Sequence, residues 1–96
     1  MPTVRFGDFA WNAHKAAANI RKHGVSFEEA ATVFDDPRAL DAADLHDDRR
    51  FVIVGRSSRD RVLFVVHAVL EHDGIRIISA RKASPAQREA YERASS

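Results

Sequence analysis

The spacing of apolar residues along the chain changes period about halfway. After Asn12, Ala13, Ala16, Ala17 and Ile20 recur at i, i+3, i+4 and i+7, one stripe of a helix whose other side carries His14, Lys15, Asn19, Lys22 and His23. Asn12 is placed to cap this helix, and Gly24, after His23, to stop it in the left-handed conformation. A second helix is predicted from Ser26. Ser26 and Glu29 have capping-box spacing, Phe27, Ala30, Ala31 and Phe34 supply an apolar face, and Asp35-Asp36-Pro37 ends the run. Ahead of both helices, Thr3 to Phe9 reads as a short strand, with Gly7-Asp8 as a turn.

Beyond residue 50 the runs are rich in Val, Ile and Phe. Phe51 to Gly55, Arg61 to Glu71 and Ile75 to Arg81 read as strands, joined by hairpin turns at Ser57-Ser58-Arg59-Asp60 and His72-Asp73-Gly74. A weaker strand is expected near Arg38 to Asp41, before the acidic loop Asp44 to Asp48. Ser84, Pro85 and Gln87 mark the start of a closing helix, with Ala86, Ala90 and Ala94 on one side. Two N-terminal helices, an antiparallel sheet of about four strands and a C-terminal helix make an α+β fold, read as one domain over residues 1–96.

Composition narrows the chemistry. With no cysteine, the chain has no disulfide and no thiolate nucleophile or metal ligand. The longest apolar stretch, Val62 to Leu70, is interrupted by His67 and is too short to span a membrane, and Met1 to Arg5 leads into no apolar signal region, so a cytoplasmic protein is expected. The net charge of +1 hides an uneven distribution: +3 over residues 1–25, −7 over 26–48 and +5 over 49–96. Two basic segments flank an acidic one, and twelve of the fifteen cations are Arg, whose planar fork suits phosphate. The acidic segment suits a basic partner, and equally reads as a solvated loop that keeps the protein soluble.

No pair of the five histidines sits three or four apart, so neither a metal site nor another cofactor site is read from the sequence. The four glycines are scattered and make no phosphate loop, and no nucleophile-elbow pattern is present. What remains is basic and polar residues on regular elements. Lys15, Asn19 and Lys22 share a helix face, and His23 lies at the helix C-terminus, where the dipole favours a cation. Regular alternation on the last strand puts Ile75, Ile77, Ser79 and Arg81 on one side and Arg76, Ile78, Ala80 and Lys82 on the other. Each set also reads as an ordinary solvated helix face or strand end. Tyr91, on the last helix, is suited to stacking on a base, to donating a proton or to packing its ring on the sheet.

Taken together, the chain from Phe9 to Tyr91 resembles the BrnT family of bacterial type II toxins, small proteins similar to RelE in fold. Three ordered blocks carry the resemblance. They are Phe9, Trp11, Lys15-Ala16, Asn19 and Lys22-His23-Gly24-Val25-Ser26-Phe27-Glu28-Glu29-Ala30; Arg50-Phe51 with Gly55-Arg56-Ser57-Ser58; and Arg76 to Ala83, followed by Glu89 and Tyr91. The chain departs from the family's usual Trp-Asp at Trp11-Asn12, although either residue caps a helix. It also departs from the usual Glu-Arg at Arg49-Arg50, where Asp48 is the adjacent acid.

The resemblance implies a toxin that cleaves RNA and slows translation. It also implies a cognate antitoxin (BrnA-like, a ribbon-helix-helix protein) that blocks the toxin in a two-plus-two complex and carries it to operator DNA. A metal-free ribonuclease needs a base for the ribose 2′-hydroxyl, cations for the developing phosphorane charge and an acid for the leaving 5′-oxygen. Lys15, His23, Arg81 and Tyr91 supply those chemistries: Arg81 for charge, Lys15 or His23 for the proton, Tyr91 to position a base. Lys22, Arg56, Arg76 and Lys82 are the expected contacts to the RNA backbone. The same basic segments also suit a module that binds nucleic acid or antitoxin without catalysis, a reading that turnover separates from the first.

Overall fold

In a computed structural model, which describes residues 2–95, the chain opens with a hairpin of β1 (Thr3–Phe6) and β2 (Phe9–Asn12) turning through Gly7-Asp8. Asn12 then caps α1 (Ala13–His23), its Oδ1 accepting from the Lys15 N–H at 3.0 Å, and Gly24 ends the helix at φ 69°. The helix α2 (Phe27–Thr32) runs into a 3-10 turn at Val33–Asp35. The strands β3 (Leu40–Ala43), β4 (Phe51–Arg56), β5 (Val62–Val69) and β6 (Ile75–Lys82) precede α3 (Pro85–Ser95).

All six strands form one sheet in the order β1-β2-β6-β5-β4-β3. This corrects the expectation of about four antiparallel strands. The opening residues make two strands rather than one, and β2 runs parallel to β6, pairing Phe9 with Ile75 and Ala10 with Arg76. β1, β2 and β3 have four residues each, too few to show a period, and pairing between β2 and β6 is a tertiary choice that local pattern does not encode.

Each face of the sheet buries its own cluster. Trp11, Phe27, Val33, Leu63, Val65 and Ile77 form the larger one beneath α1 and α2; Val54, Val62 and Tyr91 form the smaller one beneath α3. Gly55 lies where the chain around Val33 crosses β4, and a Cβ there would meet Val33 Cγ1 and Ala39 Cβ at 2.9 Å. A methyl group would force the two layers apart.

The apolar stripes only partly mark the docking faces: in α1, Ala16 packs on the larger core, but the later residues of the stripe turn outward. Ala17 is exposed and Ile20 is 49% exposed, whereas Asn19 is the buried residue of α1. In α3, Ala86, Ala90 and Ala94 face solvent and Tyr91 is buried. Alanine gains so little from burial that its periodicity alone does not decide which side docks.

Asn19 docks through hydrogen bonds. β2 pairs with β6 only at its first two residues, so the backbone of Ala80 faces an edge with no neighbouring strand. The Asn19 side chain takes that place: Oδ1 accepts from the Ala80 N–H at 3.2 Å, and Nδ2 donates to the Ala80 carbonyl at 2.8 Å and to the Val25 carbonyl at 2.9 Å. A second polar lock holds α2. Ser26 Oγ accepts from the Glu29 N–H as the capping box requires, but the buried Glu29 carboxylate is committed to Ser57 Oγ, at 2.7 Å, and to a forked contact from Arg61. Arg61 also donates to the Gly24 carbonyl, tying the end of α1 to the turn between β4 and β5. The Arg61 hydrogen bond, with that of Ser57, outweighs burial and holds the Glu29 carboxyl below its usual range.

Two stability measurements check these contacts. Asn19→Asp replaces two donated bonds with oxygen facing oxygen in a buried site, and a loss of about 3 kcal/mol or more is expected from denaturant midpoints. A loss below about 1 kcal/mol would contradict the role assigned to the amide. His67 is buried between Phe34 and Phe51, its Nδ1 has no partner, and burial pushes its pKa down against the Val65 backbone and the Asp41 charge. The neutral form is favoured in the fold, so below about pH 6.5 the unfolded chain takes up the proton first and stability falls as pH falls. His67→Phe should flatten that decline in thermal melts; an unchanged slope would assign it to other groups.

Candidate nucleic-acid interface

The basic residues of β6 are arranged by an irregularity in its pairing. His67 lies opposite Ile77 and Val66 opposite Ser79, so Ile78 has no partner on β5 and forms a bulge. A bulge adds one residue and reverses the facing of everything after it. Ile77 and Ala80 therefore both enter the larger core, three residues apart. Arg76, Ser79 and Arg81 share the opposite face, where strict alternation would have separated Arg76 from Arg81. The floor beside them on β5 is Ala68, Val66 and Phe64, their partners across the ladder.

Arg81 is held from two sides. Its guanidinium lies 4.2 Å from the Phe64 ring centroid, and Nη1 donates to Gln87 Oε1 at 3.1 Å. Gln87 is itself fixed as the far half of a capping box: its Oε1 accepts from the Ser84 N–H and its own N–H donates to Ser84 Oγ. The start of α3 thus positions a cation on the open sheet, at modest entropy cost for the arginine.

The edge of β6 beside α1 forms a second basic wall. Lys15, Lys22 and His23 line a cleft with Ala18, Asn19, Ile78 and Ser79. Asn19, bonded to Ala80, sets the rotation of α1 that turns these three toward the strand. Ser79 belongs both to this cleft and to the row Arg76-Ser79-Arg81, so the two groups of cations meet at one residue.

The remaining candidates lie elsewhere. Tyr91 is 3% exposed, which leaves no ring face for a nucleobase, and its hydroxyl donates to Asp36 Oδ2 at 2.6 Å. Burial and the Asp36 contact both raise the Tyr91 pKa. Burial opposes the charge on Asp36, but hydrogen bonds from the Arg56 N–H, Tyr91 and the Arg38 N–H outweigh it and keep the carboxyl low. Arg56 pairs with Asp60 at 2.9 Å and lies over the Tyr91 ring. It opens on a cleft that also contains Asp35 and Asp36. Lys82 falls on the other side of β6 and lines a cleft with Asp60, Arg61 and Arg88. Asp48 lies in the loop between β3 and β4, two strands from β6.

Sequence reasoning missed Asn19 as an anchor, Gln87 as a brace for Arg81, and Ser79. An asparagine in the middle of an alanine-rich helix, where it is a poor helix former, is the one signal that marked a special role. Among the described residues, no three His, Asp or Glu side chains are grouped to hold a metal ion, and no helix is long and apolar enough to cross a membrane.

Residues 11–87 match the model of a family described as the ribonuclease toxin BrnT of type II toxin–antitoxin systems. Among solved structures, the Brucella abortus ribonuclease toxin BrnT superposes with a TM-score of 0.64 at 22% identity, covering 77% of this chain and 92% of that one. No curated protein matches the chain. The likeness to the Brucella protein is one of fold, while the family match spans both basic walls, from the cap of α1 to the start of α3. The chain belongs to the BrnT family of ribonuclease toxins of type II toxin–antitoxin systems.

Proposed function

We propose that this protein cleaves RNA without a metal ion, by attack of a ribose 2′-hydroxyl on the adjacent phosphate, at the junction of the row Arg76-Ser79-Arg81 with the wall Lys15-Lys22-His23. The observation that carries the reading is the bulge at Ile78, which turns Arg76 and Arg81 to one face and leaves Ser79 shared with the α1 cleft. Phosphate sits against Arg81, with Arg76 and Lys22 along the backbone. Lys15 or His23 takes the 2′-hydroxyl proton as the 2′-oxygen–phosphorus bond forms, and the other protonates the 5′-oxygen as its bond to phosphorus breaks. The products are a 2′,3′-cyclic phosphate (or the 3′-phosphate after hydrolysis) and a 5′-hydroxyl. Arg81 is braced before substrate arrives, so it stabilises the phosphorane charge with little reorganisation. Tyr91 acts on this reading by anchoring α3, and with it the brace on Arg81, rather than by touching a base. Lys82 and Arg56 hold no scissile phosphate.

The same reading makes this a cytoplasmic protein whose cleavage of cellular RNA inhibits translation. A ribbon-helix-helix antitoxin neutralises it in a two-plus-two complex, and operator DNA is reached only through that antitoxin. The edge strand β3, with Asp41, and the loop after it, with Asp44, Asp47 and Asp48, lie at the far edge of the sheet from β1 and suit a basic partner better than RNA.

Purified cellular RNA incubated with the protein in EDTA should be cut to cyclic or 3′-phosphate ends. Arg81→Ala should reduce cleavage about 100- to 1,000-fold and Lys15→Ala by a comparable factor. Tyr91→Phe should keep the chemistry and lose about 1–3 kcal/mol of stability, because a hydrogen bond to a charged group is removed. Loss of cleavage on adding EDTA, or full cleavage by folded Arg81→Ala, would overturn the mechanism. RNA binding without turnover, on free RNA and on translating ribosomes alike, would leave a binding module.

A further inference from the structure

The open face of the sheet continues past Arg76. Ala10 of β2 pairs with Arg5 of β1 on one side and with Arg76 of β6 on the other, so Arg5, Ala10 and Arg76 form one row across three strands. Paired residues of adjacent strands point to the same face, and that face also carries Ser79 and Arg81. The larger core lies on the other side, where Val4 and Trp11 point. Arg5 is exposed and Arg76 half-buried, and neither takes part in an ion pair among the described residues. Two strand spacings separate their Cα atoms by about 10 Å, a gap that two arginine side chains can close over the small Ala10 floor.

The geometry points to a second phosphate-binding position, made by Arg5 and Arg76, that holds single-stranded RNA at a phosphate away from the one being cleaved. This deepens the proposed function and rests on it for the location of the scissile phosphate. Arg76 and Arg81 are five residues apart along β6, about 15 Å, farther than neighbouring phosphates of one strand, so the two positions take different phosphates. The cleft at this end is lined by Arg5, Arg76 and His72, and by Asp8 and Glu71 at the tips of the two hairpins. Ala10 is buried between the two arginines, so phosphate is received in the cleft on its Arg5 and Arg76 side, away from the carboxylates at the hairpin tips. Contacts from arginine to phosphate carry no base information, so this position gives length preference rather than base preference.

Two measurements test this with the intact protein, its Arg5→Ala and Arg5→Lys variants, and thermal melts to show that all three are folded. The first is binding of a 2′-O-methyl RNA oligonucleotide, which lacks the attacking hydroxyl, across a salt series. Arg5→Ala should weaken binding about tenfold and lower the slope of log K against log salt by about 0.7, the value for one phosphate of a single strand, with the slope restored in Arg5→Lys. The second is cleavage kinetics on unmodified RNA, in which Arg5→Ala should raise KM about tenfold with kcat within about twofold. An unchanged salt slope and KM in Arg5→Ala would overturn the position, as would a fall in kcat at constant KM, which would put Arg5 at the scissile phosphate. The binding arm needs no turnover. A parent that binds but does not cut therefore counts against the proposed function alone, and an Arg5-independent slope counts against the second position alone.

Discussion

The arrangement of this protein depends on one side-chain amide. Where β2 turns away into α1, the outer edge of β6 loses its neighbour, and unpaired backbone groups there would be costly beneath a packed helix. Asn19 supplies a donor and an acceptor to the same residue, Ala80, as a strand would, and its second N–H reaches the carbonyl of Val25. Because the amide is planar and its three partners are fixed, it sets both the distance and the rotation of α1. That rotation decides what the helix shows to the strand: Lys15, Lys22 and His23 along the seam, with Ile20 turned outward. The positions of the cations follow from a packing requirement, before any substrate is considered.

The second constraint is the bulge at Ile78. It lets β6 serve two needs that strict alternation sets against each other. Ile77 and Ala80 both reach the core, and Arg76 and Arg81 both reach the open face. From the residues alone the strand was legible, as were its ends and the basic character of its last turn, and the parity was not. A bulge is a property of the pair of strands, here of Val66 and His67 opposite Ser79 and Ile77, and no residue of β6 announces it. The helix caps at Asn12, Ser26 and Ser84, by contrast, were legible because capping is local chemistry between residues three apart.

Helix orientation shows a different limit. The alanines of α1 and α3 make clean stripes, yet α1 is anchored by an asparagine and α3 by Tyr91 on Asp36. Polar anchors with several satisfied bonds outweigh a stripe whose burial gains little. Glu29 illustrates the same point within the acidic segment. It reads as one of eight acids over residues 26–48, but it is buried in a fork from Arg61 and holds α2 against the strands. A buried charge pair of this kind is costly to break because either partner left alone is an unpaired ion. Net charge by segment identified where cations could work together and could not identify which of the charges are structural.

The proposed cleavage site is single: α1 and β6 both contribute to it, meeting at Ser79, rather than forming two separate basic surfaces. A double-mutant cycle on Lys15 and Arg81 tests it most directly, with kcat/KM for RNA cleavage measured for the parent, Lys15→Ala, Arg81→Ala and the double variant. If both side chains act on one transition state, the double variant loses far less than the product of the two single losses, a coupling of about 1–3 kcal/mol. Effects that multiply to within about 0.5 kcal/mol would mean that the helix and the strand work independently, and would contradict the account.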